Sequence, residues 1–189
     1  MAQRLLQGAA VPMVTADGVR VRRLLLGANW ASSSVDVDMC ALLLRQDGGG
    51  FRAVDENGFL FRRRRTTPER SAFLTFQPPG HSEGPDRAQI ILDFDALSPE
   101  VTRIVVAMSA LRREGTLAEM GSLQTRAMDL ATGETMYVYK HQSMASLAVQ
   151  CLQLWTLKRE GTTWEGRLVA TEYPGGPPAL VRDFGARAT

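Results

Sequence analysis

Two carboxylates enter an apolar run at Asp36-Val37-Asp38-Met39-Cys40-Ala41-Leu42-Leu43-Leu44. Side chains of a strand alternate between its faces, so Asp36 and Asp38 point the same way, about 7 Å apart. Cys40, Leu42 and Leu44 share that face, which is therefore expected to turn inward. Two like charges on a buried face need a cation, either a metal ion or an arginine. A candidate complement lies in the loop His81-Ser82-Glu83-Gly84-Pro85-Asp86. Calcium takes about six to eight oxygens, mixing carboxylates with the carbonyls of a flexible loop. Asp36, Asp38, Glu83 and Asp86 supply four carboxylates if the strand end and the loop meet. The spacing is not that of an EF-hand, so the residues alone leave metal and arginine both open.

Other chemistries find little support. A Ser-His-Asp site would need His81 or His141, and neither lies in a nucleophile-elbow glycine pattern. The two cysteines and two histidines lack the spacing of a zinc site, and no phosphate-binding Gly-x-x-x-x-Gly-Lys occurs. No enzymatic activity is expected. Arg62-Arg63-Arg64-Arg65 is a candidate for phosphate, acidic lipid or nucleic acid. On a strand, Arg62 and Arg64 would share one face, and Arg63 and Arg65 the other. Stacking aromatics do not alternate with them, so a solvated strand end is the better reading, and no specific nucleic acid is expected.

The elements that must position these groups read as short strands between turn signals. Strands are expected at Val19 to Trp30, from Asp36 onward, at Phe51 to Val54, from Phe59, and at Ser71 to Phe76. Further strands are expected at Ala88 to Phe94, Val101 to Ala110, Leu123 to Asp129, Thr135 to Tyr139 and Trp164 to Thr171. Gln142 to Lys158 fits neither the strand nor the helix period cleanly, and Ala148 to Leu157 within it is assigned to strand by its neighbours. Residues 95 to 100 resemble one helical turn, and Ala179 to Phe184 a short helix ended by Gly185. Many short strands and no βαβ alternation indicate an all-β, antiparallel β-sandwich with short peripheral helices. The weakly patterned residues 1–18 are expected to belong to the same domain as 19–189.

The bulk properties agree with one globular domain: 44% hydrophobic, 22% charged and a net charge of +2. Only Lys140 and Lys158 are lysines, so arginine carries nearly all the positive charge. The simplest origin is a GC-rich genome, since arginine codons are GC-rich. Arginine also pairs with carboxylates in a bidentate manner, which bears on the aspartates. Cys40 and Cys151 lie in apolar runs and are expected as buried free thiols. No apolar run approaches membrane-spanning length, and the N-terminal apolar segment is short for a secretion signal. The expected location is cytoplasmic.

Four stretches, in order, resemble the TerD family, the calcium-binding tellurium-resistance and stress-response proteins of bacteria. Leu26-Gly27-Ala28-Asn29-Trp30 resembles the family's Gly-Leu-Gly-Trp strand end. Val35 to Leu44 resembles its Phe-Asp-Leu-Asp-Ala-Ser-Ala-Phe-Leu-Leu. Ile90 to Pro99 resembles its strand followed by a Leu-Ser-x-x-Pro turn. Tyr173 to Gly176, with Ala179-Leu180-Val181-Arg182-Asp183-Phe184-Gly185, resembles its ending. The resemblance implies a β-sandwich that holds calcium at one end, no enzymatic activity, and partners in cytoplasmic or membrane-surface stress-response complexes. It identifies Asp36 and Asp38 as the strand half of the calcium site, with Glu83 and Asp86 in the loop half.

The sequence departs from the family at that loop. Arg87-Ala88-Gln89 stands where the family has Asp-Asp-Glu, and Arg62-Arg63-Arg64 where it has Tyr-Asn-Asn. Each close like charge opposes a divalent ion by an amount on the order of a few kcal/mol at an effective dielectric of about 20. The calcium site is therefore expected to be weakened or lost, with Arg87 or the arginine cluster pairing with Asp36 and Asp38.

Overall fold

A computed structural model of the protein describes residues 1–32, 35–76, 86–111, 115–145 and 147–185. The strands are β1 (Gln3–Arg4), β2 (Ala10–Pro12), β3 (Arg23–Trp30), β4 (Val37–Asp47), β5 (Gly50–Ala53), β6 (Phe59–Leu60) and β7 (Ala72–Phe76). They continue with β8 (Ala88–Asp93), β9 (Arg103–Ala110), β10 (Leu123–Asp129), β11 (Thr135–His141), β12 (Cys151–Glu160) and β13 (Thr163–Tyr173). One helix, α1 (Gly176–Asp183), follows the last strand. A 3-10 turn lies at Leu117–Met120, and both of its terminal residues are fully buried.

The strands form two facing sheets. The first runs β1-β11-β10-β3-β8-β7, and the second β2-β13-β12-β9-β4-β5 with β6 also on β4. Every pairing is antiparallel except β1 on β11. The chain is thus an all-β sandwich, as its pattern of short strands predicts. Residues 1–18 look featureless because β1 and β2 are too short to show alternation. They still add an edge strand to each sheet and place Leu5, Val11 and Met13 in the core. Among the described residues no helix is long and apolar enough to cross a membrane.

β4 explains why its sequence is apolar without a break. Val37, Met39, Ala41 and Leu43 pack in the core between the sheets. Cys40, Leu42 and Leu44 face the other way and pack with Phe59, Val105 and the α1 residues Leu180 and Val181. From Asp38 onward the aspartate face is therefore buried, but beneath α1 rather than between the sheets, with β6 paired alongside β4 in the same sheet. A strand covered on both faces loses the polar alternation of a half-exposed one. Each fully buried leucine there contributes about 1.5 to 3 kcal/mol.

The ambiguous segment has a physical cause as well. Against β9, β12 carries one extra residue between Gln153 and Trp155. This bulge lets Leu152, Leu154, Trp155 and Leu157 all enter the same core, which breaks the period of two.

Candidate functional site

The four arginines do not lie along a strand. Phe61 and Arg64 exchange backbone hydrogen bonds, so Arg62 and Arg63 form the two-residue tip of a tight turn. The turn folds back onto the start of β4. Arg62 donates from Nη2 to Asp36 Oδ1 at 3.2 Å and to the Val37 carbonyl at 3.4 Å. Its backbone N–H donates to Asp38 Oδ2 at 3.3 Å. Its Nε stands 3.9 Å from Asp38 Oδ1. That nitrogen and that oxygen are both buried without a hydrogen-bond partner. The Arg62 guanidinium also lies 5.2 Å from the Phe76 ring centroid, and that of Arg65 lies 5.3 Å from the same ring. Arg64 packs on Phe61 and donates to the Glu56 carbonyl, while Arg63 is exposed.

The two aspartates differ in environment. Asp36 precedes β4 and is exposed, whereas Asp38 is 5% exposed. Burial pushes the Asp38 carboxyl above its ordinary range, and the Arg62 N–H and guanidinium only partly oppose this. Arg87 sits across the same end of the sandwich. It stacks on Trp30 at 4.1 Å and donates to the carbonyls of Trp30 and Ser32, tying down the connection that leads to Asp36. Burial lowers the Arg87 pKa, and the charge of Asp36 opposes that shift.

Asp86 does not join this pair. It sits on the outer face of the first sheet, above Gly27. A Cβ built on Gly27 would lie 2.3 Å from the Asp86 Cγ, so the missing side chain is the seat of the carboxylate. Arg126 and Gln89 flank Gly27 on the neighbouring strands and close around it. Arg126 donates from Nη2 at 2.7 Å and from Nε at 3.0 and 3.1 Å to the two oxygens. Gln89 Nε2 adds a bond at 3.0 Å. Sequence reasoning missed this arrangement. Its signals were a glycine inside an apolar strand and an arginine on the outward-facing positions of β10. Glu83 and His81 lie outside the described residues.

A calcium ion would need about six to eight oxygens. Among the described residues no three of His, Cys, Asp and Glu come together. Both Asp86 oxygens are spent on Arg126, and a guanidinium lies against Asp36 and Asp38. The described residues therefore do not form an oxygen shell for calcium. They form two arginine–carboxylate pairs, one on each half of the acidic set.

Comparison with known proteins fits this architecture. The TerD domain family matches residues 1–184. A solved protein of unknown function, SAV2460, superposes with a TM-score of 0.66 at 16% identity, covering 89% of this chain and 99% of that one. A homologue of telluride resistance protein (TerD), SCO6318 from Streptomyces coelicolor A3(2), superposes with a TM-score of 0.65 at 14% identity, covering 85% and 95%. No curated protein matches the chain. At these identities the two structures speak for the fold alone, while the family match spans nearly the whole sequence: the chain belongs to the TerD domain family.

Proposed function

We propose that this chain is a stress-response domain of the tellurium-resistance type that acts by binding protein partners in the cytoplasm rather than by catalysis, and that its acidic pair takes an arginine instead of calcium. The observation that carries the reading is the Arg62 guanidinium seated against Asp36 and Asp38. A tethered cation has no dissociation equilibrium with the solvent, so the fold needs no free ion at this point. The unpartnered Asp38 Oδ1 favours a second reading, a residual calcium site that opens when Arg62 swings out.

Thermal unfolding with calcium and with a chelator separates the two. A ligand selective for the native state at about 100 times its Kd adds roughly 2.7 kcal/mol of stability. The first reading expects equal melting temperatures in millimolar calcium and in EDTA; a calcium-dependent rise removes it in favour of the second. The stress assignment is tested by deleting the gene in its host and plating on tellurite. Unchanged tolerance would discard it.

A further inference from the structure

An apolar stripe crosses the outer face of the first sheet. Leu25 on β3 stands opposite Met128 on β10 and Ile91 on β8, and Ile91 stands opposite Phe73 on β7. Their neighbours along the strands, Leu24, Ala127, Ile90 and Leu74, belong to the core between the sheets, so these four side chains point outward. Leu25 accordingly joins neither hydrophobic cluster. The open face of an antiparallel sheet ordinarily carries polar residues at such positions, and a contiguous apolar patch there marks an interaction surface. The one described helix packs on the second sheet. Leu25 is 4% exposed and the other three are partly buried, so the stripe is a shallow trough with Leu25 as its floor. Charge on either side of it is balanced. On one side lies the closed pair of Arg126 and Asp86. On the other, Arg23 and Asp93 face each other across β3 and β8 at 4.0 Å, a loose pair with side chains 55% and 34% exposed.

We propose that this face pairs with the same face of a second copy of the chain, about a two-fold axis lying between the copies and running along the seam of β3 and β8. The strand registers make the face self-complementary about that line. Half a turn lays β3 over the partner's β8 and β10 over the partner's β7, and keeps every residue at its height along the strands. Leu25 then meets the partner's Ile91, Met128 meets the partner's Phe73, and Arg23 meets the partner's Asp93, each contact occurring twice. The low Leu25 floor receives the partner's Ile91, and a thioether against an aromatic ring is a favourable contact. Oδ1 of Asp93 already accepts from the N–H groups of Asp95 and Ala96, while Oδ2 is the oxygen turned toward Arg23. A foreign partner would have to bring its own acid and base at the right spacing, whereas a second copy supplies both through the register. Two sheets pack face to face about 10 Å apart with strands about 30° off parallel, a separation that an arginine side chain spans. The face is about 24 Å wide and about 20 Å long, so the pair buries on the order of 1,000 Å² in total, at the low end of specific interfaces.

Sedimentation equilibrium of the full chain tests this, with a monomer–dimer Kd expected between about 1 µM and 1 mM. Amide shifts on dilution should centre on Leu25, Phe73, Ile91 and Met128. Ile91→Glu places a charge against the partner's Leu25 and should leave a monomer at about 1 mM, with a melting temperature at about 1 µM close to the parent's. Arg23→Asp, an exposed change, sets like charges opposite each other twice per dimer and should weaken it at least about tenfold. Asp93→Arg should weaken it likewise, and a mixture of these two variants should form the heterodimer in preference to either homodimer, since both crossings then pair opposite charges. Asp93 also caps a turn, so if Asp93→Arg fails to fold, Arg23→Asp and Ile91→Glu decide the matter. A chain monomeric at about 1 mM overturns the proposal, as does a dimer untouched by Ile91→Glu or Arg23→Asp, or dilution shifts on another face. Shifts on this face with phosphatidylglycerol vesicles, in a chain that stays monomeric, overturn it in favour of a membrane surface. Calcium melting and tellurite growth do not depend on this face, so failure here leaves the functional reading to its own tests.

Discussion

Replacing Arg126 with methionine should be the most damaging change to any ion pair in this fold. The Asp86 side chain is 4% exposed and that of Arg126 is 15% exposed, so solvent screens the pair little. Three N–H···O contacts between 2.7 and 3.1 Å would be lost, leaving one bond from Gln89. Removing one member of a buried pair costs about 3 to 5 kcal/mol, because the other charge stays buried without compensation. At about 2 to 4 °C per kcal/mol for a chain of this size, the melting temperature should fall by roughly 6 to 20 °C. Arg62→Met provides the contrast. Its nearer partner, Asp36, has a side chain 59% exposed, and Asp38 stands 3.9 Å away, so the loss should be about 1 kcal/mol or less. Urea unfolding at neutral pH measures both. Asp86→Asn and the double variant complete a cycle, in which the double variant should cost clearly less than the sum of the singles. A loss below about 1 kcal/mol for Arg126→Met, or simple additivity in the cycle, would refute the reasoning.

Acidification should treat Asp38 differently from an ordinary carboxylate. Burial raises its folded pKa above the reference of 3.8, so the folded chain takes up a proton before the unfolded chain does. Stability at this site is therefore gained as pH falls through the folded pKa, and the gain is complete below the unfolded value. The stability of the parent relative to Asp38→Asn should therefore rise as the pH falls toward the ordinary carboxylate value of 3.8, and a relative stability that falls instead would contradict the burial argument. Burial pushes the Cys151 thiol up to about 12 and raises Cys40 as well. Neither should react with a disulfide reagent at about pH 8 until the chain unfolds, and a fast native thiol would count against this. Thr125→Val should cost about 1 to 3 kcal/mol by calorimetry, because Thr125 Oγ1 accepts from the buried Trp155 Nε1 at 2.9 Å and donates to the Gly27 carbonyl at 2.8 Å. A neutral effect there would mean that the indole finds another acceptor.

The sandwich was legible because most of its strands carry their own pattern. The Asp36–Asp38 step was legible because charge inside an apolar run is locally improbable. What covers that face was not, since α1 arrives from about 140 residues further along the chain. The geometry of the arginines was hidden for a related reason. A run of four identical residues carries no periodicity, so nothing in it distinguishes a strand from a two-residue turn. The seat of Asp86 was hidden most deeply. Its partner lies 40 residues away, and the space it occupies is made by the absence of a side chain at Gly27.

The abundance of arginine takes on structural meaning in this arrangement, whatever its origin in codon composition. Arg87 stacks on Trp30, Arg103 on Phe51 at 3.7 Å, and Arg159 on Trp164 at 4.7 Å. A planar guanidinium can offer its face to a ring and its edge to acceptors at once, which an ammonium cannot. Arg159 does both: while stacked it donates to the carbonyls of Val101 at 2.8 Å and Ser98 at 3.2 Å. Arg62 does the same, lying near Phe76 while its edge meets Asp36 and the Val37 carbonyl. Lysine at position 62 would bring the same charge but only one of these faces. Its ammonium is a compact point charge on a flexible stem and lacks the fixed planar fork that serves the ring, the carboxylate and the carbonyl together. What holds the acidic end together is therefore a shape as well as a charge, which a spherical ion in solution does not reproduce.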